Sequence, residues 1–167
     1  DVRFFTNTSL PKLLDGNDII SLFRKSKWLY SKSISSEISH VKDFFQDDLS
    51  IPSYGLQDFC KIAKDSFFKN KEDKWLIEFY NIISDNSSLW ITNRYGNDGV
   101  LRYKKFIRTA TNKMVAPFDE NGIQNVYLPS KNSSEYPVVK SLFTENKTSK
   151  KLFTAIGLKR PNIVSEA

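Results

Sequence analysis

The sequence predicts an α+β fold, a helical first half packed on a small antiparallel sheet and closed by a C-terminal helix. Three observations carry this. Apolar residues recur at helical spacing up to about Ser84, and beyond it the period falls to two, the mark of strands. Thirteen Phe, seven Tyr and three Trp, within a chain that is 40% hydrophobic, are enough to fill a core. At 167 residues the expectation is a single excised domain spanning 1–167, with a helical part at 1–85 and a sheet part plus C-terminal helix at 86–167.

Asn17 is placed to cap a short helix through Phe23, and Lys27-Trp28-Leu29 forms an anchor in a loop-like stretch. From Glu37, the residues Ile38, Val41, Phe44, Phe45 and Leu49 share one helical face until Pro52 stops the helix. Leu56, Phe59, Cys60 and Ala63 define the next helix. Trp75, Leu76, Phe79, Tyr80 and Ile83 form a broad stripe on another, spanning 71–84. Asp85-Asn86-Ser87-Ser88 then ends the helical region.

Lys105 to Arg108 and Met114 to Ala116 flank Thr109 to Lys113, the pattern of a hairpin with a loop of several residues. Asp119-Glu120-Asn121-Gly122 reads as a turn, Val126-Tyr127-Leu128 as a third strand, and Pro137-Val138-Val139 as an edge strand. A last helix runs from Ser149 to Ile156, with Gly157 in the position of a left-handed cap. Pro161 reads as the opening of a further helical turn, and with no initiator Met the chain is expected to be a piece of a longer protein. Trp28, Trp75, Phe79, Ile107 and Tyr127 are the expected core.

Composition narrows the function classes. No stretch reaches the roughly 18 apolar residues of a membrane span, and Asp1-Val2-Arg3-Phe4-Phe5 lacks the long apolar run expected of a secretory signal. With Cys60 as the one cysteine and His40 as the one histidine, disulfide frameworks and Cys/His zinc sites are excluded. Four Asn-x-Ser/Thr triplets, at Asn7, Asn86, Asn132 and Asn146, are explained by composition, and the expected location is the cytoplasm. Cys60 on an apolar helix face reads as an inert core thiol, and His40 as a surface or capping group. The pairs Asp47-Asp48 and Glu72-Asp73 diverge by about 100° on a helix, so neither converges on a substrate. Glu72-Asp73 is explained as first-turn charge facing a helix dipole. No catalytic residue, metal ligand or cofactor-binding residue is assigned, and the fragment is not expected to be an enzyme.

Charge is uneven. Segment 94–113 holds six Lys/Arg against one Asp, whereas 37–85 holds ten Asp/Glu against six Lys, within a net charge of +6. Arg94, Tyr95, Arg102, Tyr103, Lys104, Lys105, Arg108 and Lys113 interleave cations with aromatics, as surfaces do that neutralise phosphates and stack bases. An alternating strand with aromatics turned inward and cations outward produces the same string. That second arrangement is the one expected here, with Tyr95 and Tyr103 in the core.

In order, Lys27-Trp28-Leu29, Asp73-Lys74-Trp75-Leu76 with Phe79-Tyr80, Phe106-Ile107-Arg108, Val115 to Asp119, Val126-Tyr127-Leu128-Pro129 and Leu152 through Leu158 carry a resemblance. They are similar to the region downstream of the ATPase domain in large bacterial sacsin-like proteins, whose N-termini belong to the gyrase, histidine-kinase and MutL superfamily. The likeness covers about Leu14 to Ile163 and lies in the order of the blocks. Thr109 to Lys113 stands where the family has an Asp-Gly turn. The superfamily's nucleotide-binding elements are missing, since no helix carries a Glu-to-Asn magnesium box and Asp98-Gly99 completes no Asp-x-Gly-x-Gly loop. The resemblance implies a non-catalytic interaction and coupling module of a chaperone-type ATPase, with the ATPase domain of the same parent chain and a protein client as partners. The alternative is a nucleic-acid-binding module using segment 94–113. A membrane partner is not expected.

Overall fold

The computed structural model describes residues 2–5, 9–24, 27–28, 43–130 and 135–161. Most of the helix expected from Glu37, His40, the side chain of Trp28, the triplets at Asn7 and Asn132, and the turn expected after Pro161 lie outside them. Two compact units divide the chain, Asp1–Ile62 and Ala63–Ala167. The class is α+β.

The first unit holds strands that the helical periodicity of this region concealed. Strand β1 (Val2–Phe5) lies between β2 (Lys27–Trp28) and β3 (Ser53–Tyr54), parallel to both. Helices α1 (Leu10–Leu13) and α2 (Gly16–Phe23) fall between β1 and β2. The cap of α2 is Asp15 rather than Asn17. Asp15 Oδ1 accepts from the Asp18 amide at 2.8 Å and Asp18 Oδ2 accepts from the Asp15 amide at 3.3 Å, a reciprocal box that satisfies two orphan donors. Phe23 packs edge-on against Phe5 and Tyr54, and the Arg3 guanidinium donates to the Tyr54 hydroxyl at 2.8 Å. Phe44–Asp48 forms a π-helical turn, where Asp47 and Asp48 are exposed. Helix α3 (Leu56–Ile62) buries Leu56, Phe59 and the thiol of Cys60.

The second unit is built around Tyr80. Helices α4 (Asp65–Lys69) and α5 (Asp73–Ile83) are followed by a 3-10 turn at Ser87–Leu89 and by the hairpin β4 (Ile107–Arg108) and β5 (Met114–Val115). The hairpin is antiparallel, with Ile107 opposite Val115 and Arg108 opposite Met114. Helices α6 (Ser141–Glu145) and α7 (Lys147–Ile156) complete it, and α7 packs on α5. The Tyr80 ring meets Phe106, Phe143 and Phe153 edge-on, with centroids 5.2–6.2 Å apart. Its hydroxyl donates to the Phe106 carbonyl at 2.9 Å, and burial pushes the phenol well above its ordinary pKa. Asn146 caps α7 through the Ser149 amide, and Gly157 at φ 94° ends it in the left-handed cap expected.

Two sequence expectations need correction here. Val126 to Leu128 and Val138-Val139 do not extend into strands; Val138 and Val139 form single bridges to Tyr127 and Thr109. Pro129 and Pro137 each lack the donor that a longer ladder would use. Phe79 and Ile107 are fully buried, but Trp75 and Tyr127 are only partly so. Trp75 stacks on Phe79 at 5.4 Å while the Lys71 ammonium covers it from outside, 5.2 Å from the ring centroid. The tryptophan that fills the core is Trp90, at 2% exposure. Among the described residues no helix is long and apolar enough to cross a membrane.

Candidate functional site

Segment 89–105 forms a closed loop with a projecting tip instead of the start of a strand. Leu89, Trp90 and Leu101 are buried and anchor its base. The Leu101 amide donates to the Leu89 carbonyl at 2.7 Å, Gly99 to Ile91 at 3.2 Å, and Asn93 to Asn97 at 2.8 Å. Gly99 is required by this closure. A Cβ there would stand 2.3 Å from Leu89 C and Trp90 N, both backbone atoms. At the tip, Asn93 Oδ1 accepts from the amides of Tyr95 and Asn97, and the Gly96 amide donates to the Asn93 carbonyl at 3.0 Å. Gly96 sits at φ 79°, where a side chain would be strained.

This scaffold presents Arg94 and Tyr95 to solvent, Tyr95 at 72% exposure. The Arg94 guanidinium lies 4.7 Å from the Tyr95 ring centroid and donates to its hydroxyl at 2.6 Å. Ile91 and Tyr103 are also exposed, at 49% and 41%. Tyr103 donates to Asp98 Oδ2 at 2.8 Å and Thr92 donates to Asp98 Oδ1. Hydrogen bonds from Thr92 and Tyr103, with the Arg102 charge, hold the Asp98 carboxyl below the usual carboxylate range.

The eight sequence candidates therefore divide. Arg94, Tyr95, Tyr103, Lys105 and Lys113 are exposed. Arg102 is half-buried, stacked 4.5 Å from the Phe118 ring centroid and 3.5 Å from Asp98, and Lys104 Nζ donates to the Ala63 carbonyl at 2.6 Å. Arg108 is buried. It pairs with Asp73 at 2.6 Å and donates to the carbonyls of Lys69 and Lys71, while Lys140 reaches the second Asp73 oxygen at 2.5 Å. Arg108 is thus a structural cation, and Asp73 faces two side chains as well as a helix dipole.

The expectation that Tyr95 and Tyr103 are core residues is overturned by their exposure. The alternation behind it fails because 94–105 is turn, and because Ile107 and Arg108, adjacent in β4, are both buried. Sequence reasoning passed over Ile91 and Asn93 and weighed Gly99 only as part of a nucleotide loop, although Asn93-Arg94-Tyr95-Gly96-Asn97 carries a readable turn signal in its paired Asn and central Gly. No group of three or more metal-ligating side chains gathers among the described residues. No family model, curated protein or solved structure matches this chain.

Proposed function

We propose that the chain is a non-catalytic interaction and coupling module whose contact surface is the 89–105 loop and whose partner there is a protein. The observation that carries this reading is the pair Arg94-Tyr95, stacked on each other and held in solvent by a backbone-closed tip. Tyrosine and arginine are the residues that dominate protein interfaces, because each brings large area and directed hydrogen bonds at a modest entropic cost. Ile91 and Tyr103 add apolar area on the same loop. The order of the sacsin-like sequence blocks supports placing the module in a larger cytoplasmic, chaperone-type ATPase, beside that chain's ATPase domain and with a client as partner.

A nucleic-acid-binding module is the second reading, and the exposure of two tyrosines beside Arg94 and Lys105 favours it. Asp98, which accepts from Tyr103 and pairs with Arg102, occupies part of the polar surface that a phosphate would need, and this favours the protein partner. The test sets an unfolded model protein against a fluorescent single-stranded oligonucleotide, near physiological salt, with wild type and Tyr95→Ala. The first reading expects the chain to bind the unfolded protein and Tyr95→Ala to lose that binding with an unchanged melting temperature. Saturable oligonucleotide binding that Tyr95→Ala weakens by about 1–3 kcal/mol would establish the second instead.

A further inference from the structure

A cleft of about 450 Å³ lies in the second unit, away in sequence from the loop just described. Phe118, Tyr127 and Tyr136 line it together with Gln124, Lys159 and Arg160. That volume falls in the range of sites for small molecules rather than for folded partners. Its walls are held from behind. Gln124 Nε2 donates to the carbonyls of Val126 and Lys159, its Oε1 accepts from the Lys159 amide at 3.1 Å, and the Leu128 amide donates to the same Lys159 carbonyl. The wall is therefore held by the Gln124 side-chain amide together with the main-chain bond between Leu128 and Lys159.

Its chemistry is one-sided. Among the described residues no Asp or Glu lines it, and neither Lys159 nor Arg160 forms an ion pair. Tyr127 and Tyr136 meet edge-on at 5.2 Å, and Tyr136 is 40% exposed, so a ring surface is open to a guest. Aromatic walls desolvate and stack on a flat ring, while unpaired cations attract an anion at its edge.

We propose that this cleft is a binding site for a small aromatic anion, a flat ring carrying a phosphate or carboxylate group. The ring packs against Tyr127 and Tyr136, and the anionic group faces Lys159 and Arg160. The site is independent of the protein contact proposed for the 89–105 loop.

The whole 167-residue chain is titrated with phenyl phosphate, benzoate, inorganic phosphate and phenol at about 0.15 M salt, and amide chemical shifts are followed. Phenyl phosphate or benzoate should bind with a Kd of about 1 mM or below, tighter than either inorganic phosphate or phenol. The preferred anion of the two names the charged group. Shifts should centre on the amides of Gly122, Gln124, Gly157 and Lys159. Tyr136→Ala should weaken binding about tenfold and Arg160→Gln about threefold to tenfold, both at unchanged melting temperature, while Tyr95→Ala leaves binding as it was. Equal affinity for the aromatic anions and inorganic phosphate, shifts elsewhere, indifference to both cleft substitutions, or no shift at all would overturn the proposal.

Discussion

Asp73 shows how a single residue acquires a role that its neighbours in sequence do not announce. Burial alone would raise its pKa, but hydrogen bonds from Lys140 and Arg108 and their charges hold it below the ordinary carboxylate value. A carboxyl with a depressed folded pKa contributes stability above its unfolded pKa and loses it as pH falls through the folded value. Stability should therefore drop below about pH 4, and the drop should flatten in Asp73→Asn, as urea unfolding across pH 3–6 would reveal. At neutral pH the same substitution should cost about 2 kcal/mol, because it leaves Arg108 with carbonyl partners but without its counter-charge. Phe79→Ala, at a site with no exposure, should cost about 3–5 kcal/mol. Trp75→Ala should cost less, about 2 kcal/mol, since part of that ring is already in water; equal losses in the two melts would contradict the burial difference. Phe79, Ile107 and Cys60 were legible in the sequence because apolar spacing reports burial directly. Arg108 was not, for its partners lie 35 residues before it and, through Asp73, at Lys140.

Among the elements, the 89–101 loop depends most on one residue. Gly99→Ala sets a methyl against backbone atoms that have no rotamer through which to retreat. It should cost about 2–3 kcal/mol and also weaken partner contact, whereas Tyr95→Ala should affect contact alone. Parallel melting and binding measurements on both variants separate scaffold from contact; a stable Gly99→Ala protein would argue against the closure. Gly157→Ala places a side chain at φ 94° and should cost about 1–2 kcal/mol in a urea titration. Helices α3, α5 and α7 were readable because each spans enough turns to show a stripe, and Gly157 announces its own stop. The strands of the first unit are two to four residues long. A period of two cannot be recognised over such lengths, and the parallel pairing of β1 with β2 and β3 joins segments whose separation no local pattern encodes.

For the whole molecule, the α+β class was legible from the helical stripes before Ser84 and the hairpin pattern at 105–116, whereas the division into units was not. The boundary falls after Ile62, inside the stretch that the sequence reads as uniformly helical, because helical stripes say which faces are apolar and not which helices share a core. The second unit contains a connected set of ring contacts from Phe67 through Phe79 and Tyr80 to Phe106, Phe143 and Phe153. Residues 63–167 expressed alone should unfold in one cooperative step, with coincident fluorescence and circular-dichroism transitions. A gradual, non-coincident loss of signal would mean that this set of contacts is not sufficient for a core.

The tip at Asn93–Asn97 is closed by Asn93, Gly96 and main-chain groups, while among the described residues the side chains of Arg94 and Tyr95 bond only to each other. Folding and the proposed recognition are thereby written in different letters of the same loop. Positions 94 and 95 form a two-residue display, so a library randomised there should yield altered partner preferences on an unaltered framework.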